Sequence, residues 1–143
     1  GKTKKMRSPL LLSRRDALAY TAIGGFSAFA MRPMPALAAP FASRRIAVTV
    51  RGQGPDVLLI PGLASGPSIW NGAVTAVPGY RYHLVQLRGF AGLAPDLNRT
   101  GPLIDPVAQE IARYIGEQGL ARPALVGHSM GGTLAMLLGL RPA

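Results

Sequence analysis

Residues 124–132 have the sequence ALVGHSMGG, and this stretch decides the fold of the chain. The apolar run 124–126 predicts a short buried strand, and the second apolar run, residues 133–140, predicts a helix. Between them lies a G-x-S-x-G sequence, a pattern that carries meaning only in such a strand–turn–helix context. The stretch therefore predicts a tight turn that exposes the hydroxyl of Ser129 above the edge of a sheet.

Backbone crowding explains the glycines of this turn. We expect a Cβ on Gly127 or Gly131 to clash, because the chain doubles back there, and we expect Gly132 to let the helix pack close to the strand. Ser129 should have a strained backbone, and the helix N-terminus beneath it should favour a developing negative charge. The alternative is a glycine-rich turn in which the serine is incidental.

At these residues the chain resembles the α/β-hydrolase family, in which Gly-His-Ser-Met-Gly is a frequent nucleophile-elbow sequence. The resemblance implies that Ser129 is the catalytic nucleophile of a serine hydrolase and attacks a small-molecule ester, thioester or related acyl substrate. It also implies an oxyanion hole built from two backbone N–H groups, those of Met130 and Leu63. Leu63 belongs to a loop, residues 61–66, that follows a predicted strand and has Pro61 where the family usually has His. An ordinary strand-to-helix turn is the alternative for this loop.

A second motif upstream, residues 88–92 (RGFAG), resembles the family's Asp-x-Arg-Gly-x-Gly loop. Gln86 replaces the Asp and Ala91 replaces the second Gly. The resemblance implies a structural role in which Arg88 ties loops together beneath the site. Three apolar residues can line an acyl pocket, although burial in the core is the favoured interpretation: Ile69, Trp70 and Phe90.

Neither histidine is predicted to be the catalytic base. His128 is next to the nucleophile, where the resemblance places it against the oxyanion loop, and His83 lies inside a predicted strand as a structural residue. The family's chain order is Ser, then Asp or Glu, then His. Residues 130–143 contain no Asp, Glu or His, so the triad acid and base are absent from this chain. We therefore expect a truncated chain with little or no activity and an open sheet edge beside the elbow.

The rest of the chain alternates predicted strands and helices. The strands are 44–51, 56–60 and 80–87. The first helix is 69–77, and the second begins at Pro106 and is stopped by Gly119. Ser68 and Asp105 are predicted to cap these two helices, and Pro106 to open the second. The alternation predicts an α/β fold with a mostly parallel, doubly wound sheet and flanking helices. Residues 39–143 would be the N-terminal half of an α/β-hydrolase domain, ending after the nucleophile helix.

Residues 1–38 have the parts of a signal peptide. The motif SRRDAL at 13–18 resembles the twin-arginine export motif, a moderately apolar stretch spans 17–31, and the small-residue site ALA at 36–38 follows. We expect twin-arginine export machinery as a partner, a periplasmic or secreted bacterial location, and no stable membrane span after cleavage. A signal anchor or an amphipathic helix of the fold is the alternative, and Met6 is a candidate start.

Composition narrows the classes of function. The net charge is +10, but seven of the 16 Lys and Arg residues lie in 1–38. The remaining basic residues are scattered and not interleaved with aromatics, which argues against a nucleic-acid partner. With no Cys and two His, the sequence predicts no disulfide, no metal site and no cofactor. Two further alternatives stay open: a non-catalytic exported fragment or binding module, and an acyltransferase or perhydrolase on the same fold.

Overall fold

The structure, a computed structural model, describes residues 40–142. The predicted signal peptide and its boundary at residues 38 and 39 lie outside the described residues. Residues 40–142 contain four strands: β1 (Ile46–Arg51), β2 (Asp56–Ile60), β3 (Arg81–Leu87) and β4 (Ala124–Gly127). Three α-helices accompany them: α1 (Asn71–Ala76), α2 (Ile104–Glu117) and α3 (Met130–Gly139). Two 3₁₀ segments, Pro67–Trp70 and Asp96–Arg99, lie in the connections.

The four strands form one sheet in the order β1-β3-β2-β4. The central strand β2 pairs in parallel with both β3 and β4, which confirms the predicted mostly parallel sheet with flanking helices. The exception is β1, which pairs with β3 antiparallel. The short turn at residues 52–55 reverses the chain, so β1 runs against β2, whereas parallel strands require a much longer crossover. An antiparallel edge on an otherwise parallel sheet is common in α/β folds.

The apolar runs of β2 and β3 face two separate cores. On one face, Leu58 and Ile60 pack with Ile111 of α2 and Leu134 of α3. On the other face, Leu59 and its neighbours pack under the α1 side of the sheet. Because both faces are covered, β2 needs no polar alternation, as its continuous apolar sequence predicted.

Helix α2 shows the predicted amphipathic pattern. Its buried residues are Val107, Ala108, Ile111 and Tyr114. Gln109, Arg113 and Glu117 are exposed, and Glu110 is partly buried. The stripe follows the spacing expected of a helix with one face against a sheet.

Both predicted helix caps are wrong. The first helix begins as a 3₁₀ segment at Pro67, so Ser68 lies inside that segment and its side chain makes no cap hydrogen bond. Helix α2 begins at Ile104, one residue before the predicted cap, and Asp105 lies in its first turn. There its carboxylate complements the helix dipole without capping a backbone N–H.

The described helices are short. None of the helices within residues 40–142 is long and apolar enough to cross a membrane.

Candidate active site

The predicted elbow forms between β4 and α3. Strand β4 ends at Gly127, α3 begins at Met130, and Ser129 stands between them with φ 57° and ψ −120°. A non-glycine residue in such a conformation costs on the order of 1–3 kcal/mol and persists only where its surroundings enforce it. Ser129 is also exposed. The predicted backbone strain and the predicted exposure of Ser129 are thus confirmed.

The glycines of the elbow are required sterically at two positions. A Cβ on Gly127 would lie 2.1 Å from the carbonyl oxygen of Gly131, and a Cβ on Gly131 would lie 2.1 Å from that of Ile60. Both predicted clashes are therefore confirmed. A Cβ on Gly132 would meet nothing nearer than 3.6 Å, so the prediction that close packing requires glycine there is wrong. The turn is also fixed to β2, since the N–H of His128 donates to the carbonyl of Ile60 at 3.1 Å.

The loop at residues 61–66 lies against the elbow. Gly62 is buried, and a Cβ built on it would stand 3.2 Å from Cβ of Ser129 and 3.2 Å from the carbonyl oxygen of His128. The backbone N–H groups of Leu63 and Met130 have no hydrogen-bond partner within residues 40–142. Such unpaired donors are what an oxyanion hole requires. Leu63 is 51% exposed, so it lies on the surface of the loop that packs against the elbow.

The two histidines have different surroundings. His128 is exposed, and its Nδ1 would lie 3.3 Å from a Cβ on Gly62, so the ring packs beside the loop at residues 61–66 as the resemblance implied. His83 is 3% exposed, with Nε2 2.7 Å from Oδ1 of Asp56 and Nδ1 2.6 Å from the hydroxyl of Tyr114. Because a carboxylate only accepts, Nε2 carries a proton, and in the neutral ring Nδ1 then accepts from the hydroxyl of Tyr114. The structural interpretation of His83 is confirmed.

Sequence reasoning missed the network around His83. Arg81 donates from Nε to Oδ1 of Asp56 at 2.5 Å and from Nη2 to Oδ2 at 3.1 Å. The Arg81 guanidinium lowers the pKa of Asp56, and burial raises the pKa of Tyr114 to about 12. The available signal was an acidic residue opening β2 and a basic residue opening β3, but their pairing depends on the strand register.

This network does not serve the elbow. Asp56 is the first residue of β2. The elbow begins at Gly127, which pairs with Ile60 at the other end of the same strand. Within the part of the chain that the structure describes, the hydroxyl of Ser129 has no hydrogen-bond partner. No group of side chains in residues 40–142 could hold a metal ion.

The second motif has a different structural role from the one predicted for Arg88. Nε of Arg88 donates to the carbonyl of Ser43 at 2.9 Å. Arg88 therefore holds the segment before β1 and not a loop at the elbow. Phe90 packs against the larger core and Trp70 against the smaller one, as the core interpretation predicted. Ile69 is exposed, so the core interpretation is wrong for it.

Comparison with known proteins agrees with this geometry. The model of the alpha/beta hydrolase family matches residues 57–143, which include most of β2, the loop at residues 61–66, the elbow and α3. The chain belongs to the α/β-hydrolase family. The match covers more than half of the chain and excludes residues 1–56.

Curated relatives of this member of the α/β-hydrolase family include esterases. The pimeloyl-[acyl-carrier protein] methyl ester esterase of Aeromonas hydrophila is 38% identical over 90 residues, which are 62% of this chain and 34% of the relative. The enzyme of the same name from Vibrio vulnificus is 30% identical over 94 residues, covering 65% and 34%. This chain thus spans about a third of the length of these relatives.

Solved structures show the same fold. A hypothetical protein of Pseudomonas aeruginosa has a TM-score of 0.61 at 20% identity, covering 70% of this chain and 36% of its own. A marine microorganism esterase has a TM-score of 0.58 at 20% identity, covering 67% and 36%. At these identities the likeness concerns the fold alone, and the fold is that of a partial α/β hydrolase.

Proposed function

We propose that this chain carries the nucleophile and oxyanion hole of a serine hydrolase that cleaves an ester, thioester or related acyl group. The observation that carries the proposal is the backbone of Ser129, an exposed serine at φ 57° between a strand and a helix. A strained conformation of this kind is maintained where function needs it, and here crowding at two glycines enforces it. The curated esterases among its relatives support the same class of reaction.

The proposed reaction begins when Oγ of Ser129 attacks the carbonyl carbon of the substrate. The hydroxyl proton passes to a base, and the carbonyl oxygen becomes an oxyanion that accepts from the N–H groups of Met130 and Leu63. Collapse of this intermediate breaks the acyl bond and releases the alcohol or thiol, which takes up the proton. Water then attacks the acyl-enzyme, releases the carboxylic acid and restores the serine.

The base for this reaction would come from outside residues 1–143. The chain covers about a third of its relatives. His83 is held by Asp56 and Tyr114 at the far end of β2, and within residues 40–142 no hydrogen bond joins His128 to the hydroxyl of Ser129. We therefore propose that residues 39–143 form the first part of a longer hydrolase domain. The 143-residue chain alone would be inactive or weakly active, because Ser129 stays protonated without its base.

A serine as the nucleophile also favours an acyl substrate over an epoxide. A candidate epoxide hydrolase from P. aeruginosa is 25% identical with a TM-score of 0.59, covering 70% of this chain and 35% of its own. Attack of a serine on an epoxide would form an ether, which water does not cleave under mild conditions, and the enzyme would stop after one turnover. Attack on an acyl group forms an ester, which water can hydrolyse. Ser129 therefore favours an acyl substrate.

A fluorophosphonate probe tests the nucleophile. We expect mass spectrometry to find the adduct on Ser129 in a protein that continues the reading frame past codon 143 through a downstream Asp or Glu and His. Ser129→Ala should abolish labelling, whereas Ser68→Ala, which changes an exposed serine of the neighbouring 3₁₀ segment, should retain it. Absence of an adduct on the folded, extended protein would support the alternative of a non-catalytic binding module.

We further propose that residues 1–38 direct export through the twin-arginine route, with cleavage after Ala38. This predicts that the protein recovered from the periplasm or medium begins at Ala39 by N-terminal sequencing. Replacing both Arg14 and Arg15 by Lys should retain the unprocessed chain in the cytoplasm. Export of that variant at the normal level would contradict the twin-arginine assignment, and an intact N-terminus on exported protein would contradict cleavage.

A further inference from the structure

The loop at residues 61–66 and the loop at residues 88–93 touch each other at a glycine and an alanine. Gly66, in the loop that carries Leu63, is buried, and a Cβ built on it would lie 2.7 Å from Cβ of Ala91. This built Cβ is one bond away from Cα of Gly66. The Ala91 methyl group is therefore within van der Waals range of the Gly66 backbone. The oxyanion loop is therefore supported at both ends: Gly62 against Ser129, and Gly66 against Ala91.

The loop that carries Ala91 is itself held by one side chain. The amide Nε2 of Gln86, at the end of β3, donates to the carbonyl oxygens of Phe90 at 3.3 Å and Ala91 at 3.0 Å. Within the loop, the N–H of Leu93 donates to Phe90 at 3.1 Å, and the N–H of Gly89 donates to Leu93 at 3.0 Å. The Ala91 methyl group thus projects from a closed loop anchored to the sheet.

The backbone conformation of Ala91 would suit glycine better than alanine. Its φ is 50°, in the left-handed region where a glycine would be free of strain. The alanine costs on the order of 1 kcal/mol there relative to glycine, and what its side chain adds is the contact with Gly66. A residue that is strained and yet contacts the oxyanion loop is a candidate for positioning that loop.

We propose that Gln86 and Ala91 form a buttress, in which the Gln86 amide fixes the Ala91 methyl group against Gly66 and so positions the N–H of Leu63 beside Ser129. The inference rests on the proposed function and adds two positioning residues to it. Neither residue contacts the reacting atoms. Their effect on the reaction passes through the oxyanion loop.

Hydrogen exchange in the 143-residue chain tests the buttress without any activity. The N–H of Ser65 donates to Gly62 at 3.2 Å and the N–H of Ile69 donates to Gly66 at 3.3 Å, so both amides report on the loop. We expect Gln86→Ala and Ala91→Gly each to speed their exchange about fivefold or more, without a matching change in amides of β2. Gln86→Glu should act like Gln86→Ala, because a carboxylate keeps the length but cannot donate to carbonyls.

A compensating pair tests the contact itself. Gly66→Ala alone should also speed exchange at Ser65 and Ile69, because the new methyl group collides with that of Ala91. Combining Gly66→Ala with Ala91→Gly removes the collision and should return both amides to within about twofold of the wild-type rates. The buttress is refuted if the single changes at Gln86 and Ala91 leave these amides unaltered, or if the double variant exchanges as fast as the two single effects combined.

Kinetics then connects the buttress to the reaction. In the extended protein, Gln86→Ala and Ala91→Gly should lower kcat for an ester about tenfold with KM little changed, since oxyanion donors act on the transition state. An effect confined to KM would overturn the positioning role. If wild-type Ser129 does not react at all, the proposed function fails, while the exchange results still decide whether the buttress exists.

Discussion

Nε2 of His83 lies 2.7 Å from Oδ1 of Asp56, at the end of β2 opposite to the elbow that carries Ser129. A strand of this length separates its two ends by about 13 Å. The second ring nitrogen of His83 is occupied by the hydroxyl of Tyr114. His83, Asp56 and Ser129 therefore cannot form a catalytic triad together. The His83 pair belongs to the fold, where it ties the starts of β2 and β3 to α2.

Acid should weaken the fold through Asp56. Its folded-state pKa lies below the ordinary value of 3.8 because of the hydrogen bond from Arg81, so it contributes stability above that pH. This contribution is lost as the pH falls through the folded-state pKa. In urea denaturation between about pH 7 and 2.5, we expect Asp56→Asn to be less stable at pH 7 by about 1–3 kcal/mol. Its stability should also fall less below pH 4 than that of the wild type.

The control for this series is Asp105→Asn, which changes an exposed carboxylate in the first turn of α2. The pKa of Glu110 is also lowered, by Arg113, and this contribution is common to all three proteins. Parallel acid profiles for the wild type and Asp56→Asn would show that the Arg81 pair does not stabilise the folded state.

The hydroxyl of Tyr114 should stabilise the fold by keeping His83 paired. Tyr114→Phe leaves Nδ1 of a buried imidazole without its donor, and an unpaired buried group costs about 1–3 kcal/mol. Chemical denaturation should show that loss. Tyr80→Phe is the matched control, because the Tyr80 side chain is exposed, and its stability should stay within about 0.5 kcal/mol of the wild type. Equal stabilities for the two variants would contradict the role of the network.

Alanine at Gly131 should disrupt the elbow, whereas alanine at Gly132 should not. A Cβ on Gly131 collides with the Ile60 carbonyl at 2.1 Å, and only a backbone shift can relieve it. We expect Gly131→Ala to lose about 3 kcal/mol or more. Gly132→Ala meets only ordinary contacts inside α3 and should be neutral or gain up to about 1 kcal/mol from helix propensity. Thermal unfolding of the two variants measures the difference, and a stable Gly131→Ala would refute the steric account.

The open edge at β4 should make the chain associate with itself. Within residues 40–142, β4 is the last strand of the sheet and has no neighbour beyond it, and Val126 on it is 43% exposed. An unpaired apolar edge strand is a template for pairing with other chains, and a lysine on it opposes such pairing. Sedimentation velocity at increasing concentration should show less self-association for Val126→Lys than for the wild type. Leu97→Lys, a similarly exposed apolar residue away from this edge, should show no such decrease; an equal decrease would point to net charge as the cause.

The accuracy of the predictions differs between local and distant features. The apolar run of β2, the amphipathic stripe of α2 and the clash at Gly127 were predicted because each depends on residues near in sequence. The clash at Gly131 was also predicted, from the G-x-S-x-G pattern, although its collision partner, the carbonyl of Ile60, is distant in sequence. The caps at Ser68 and Asp105 were mispredicted, since the start of a helix depends on how the preceding segment enters it, and a 3₁₀ turn replaced the first one.

Steric rules acting over a few residues were sufficient to specify the elbow, its strained serine and the α/β class, because a strand that turns directly into a helix leaves no room for side chains at the crossing. Long-range pairing was needed for the rest: the antiparallel β1, the partners of His83 at 27 and 31 residues' separation, and the contact of Ala91 with Gly66. Those depend on which strands become neighbours and in what register, and no short segment of the chain encodes that choice alone.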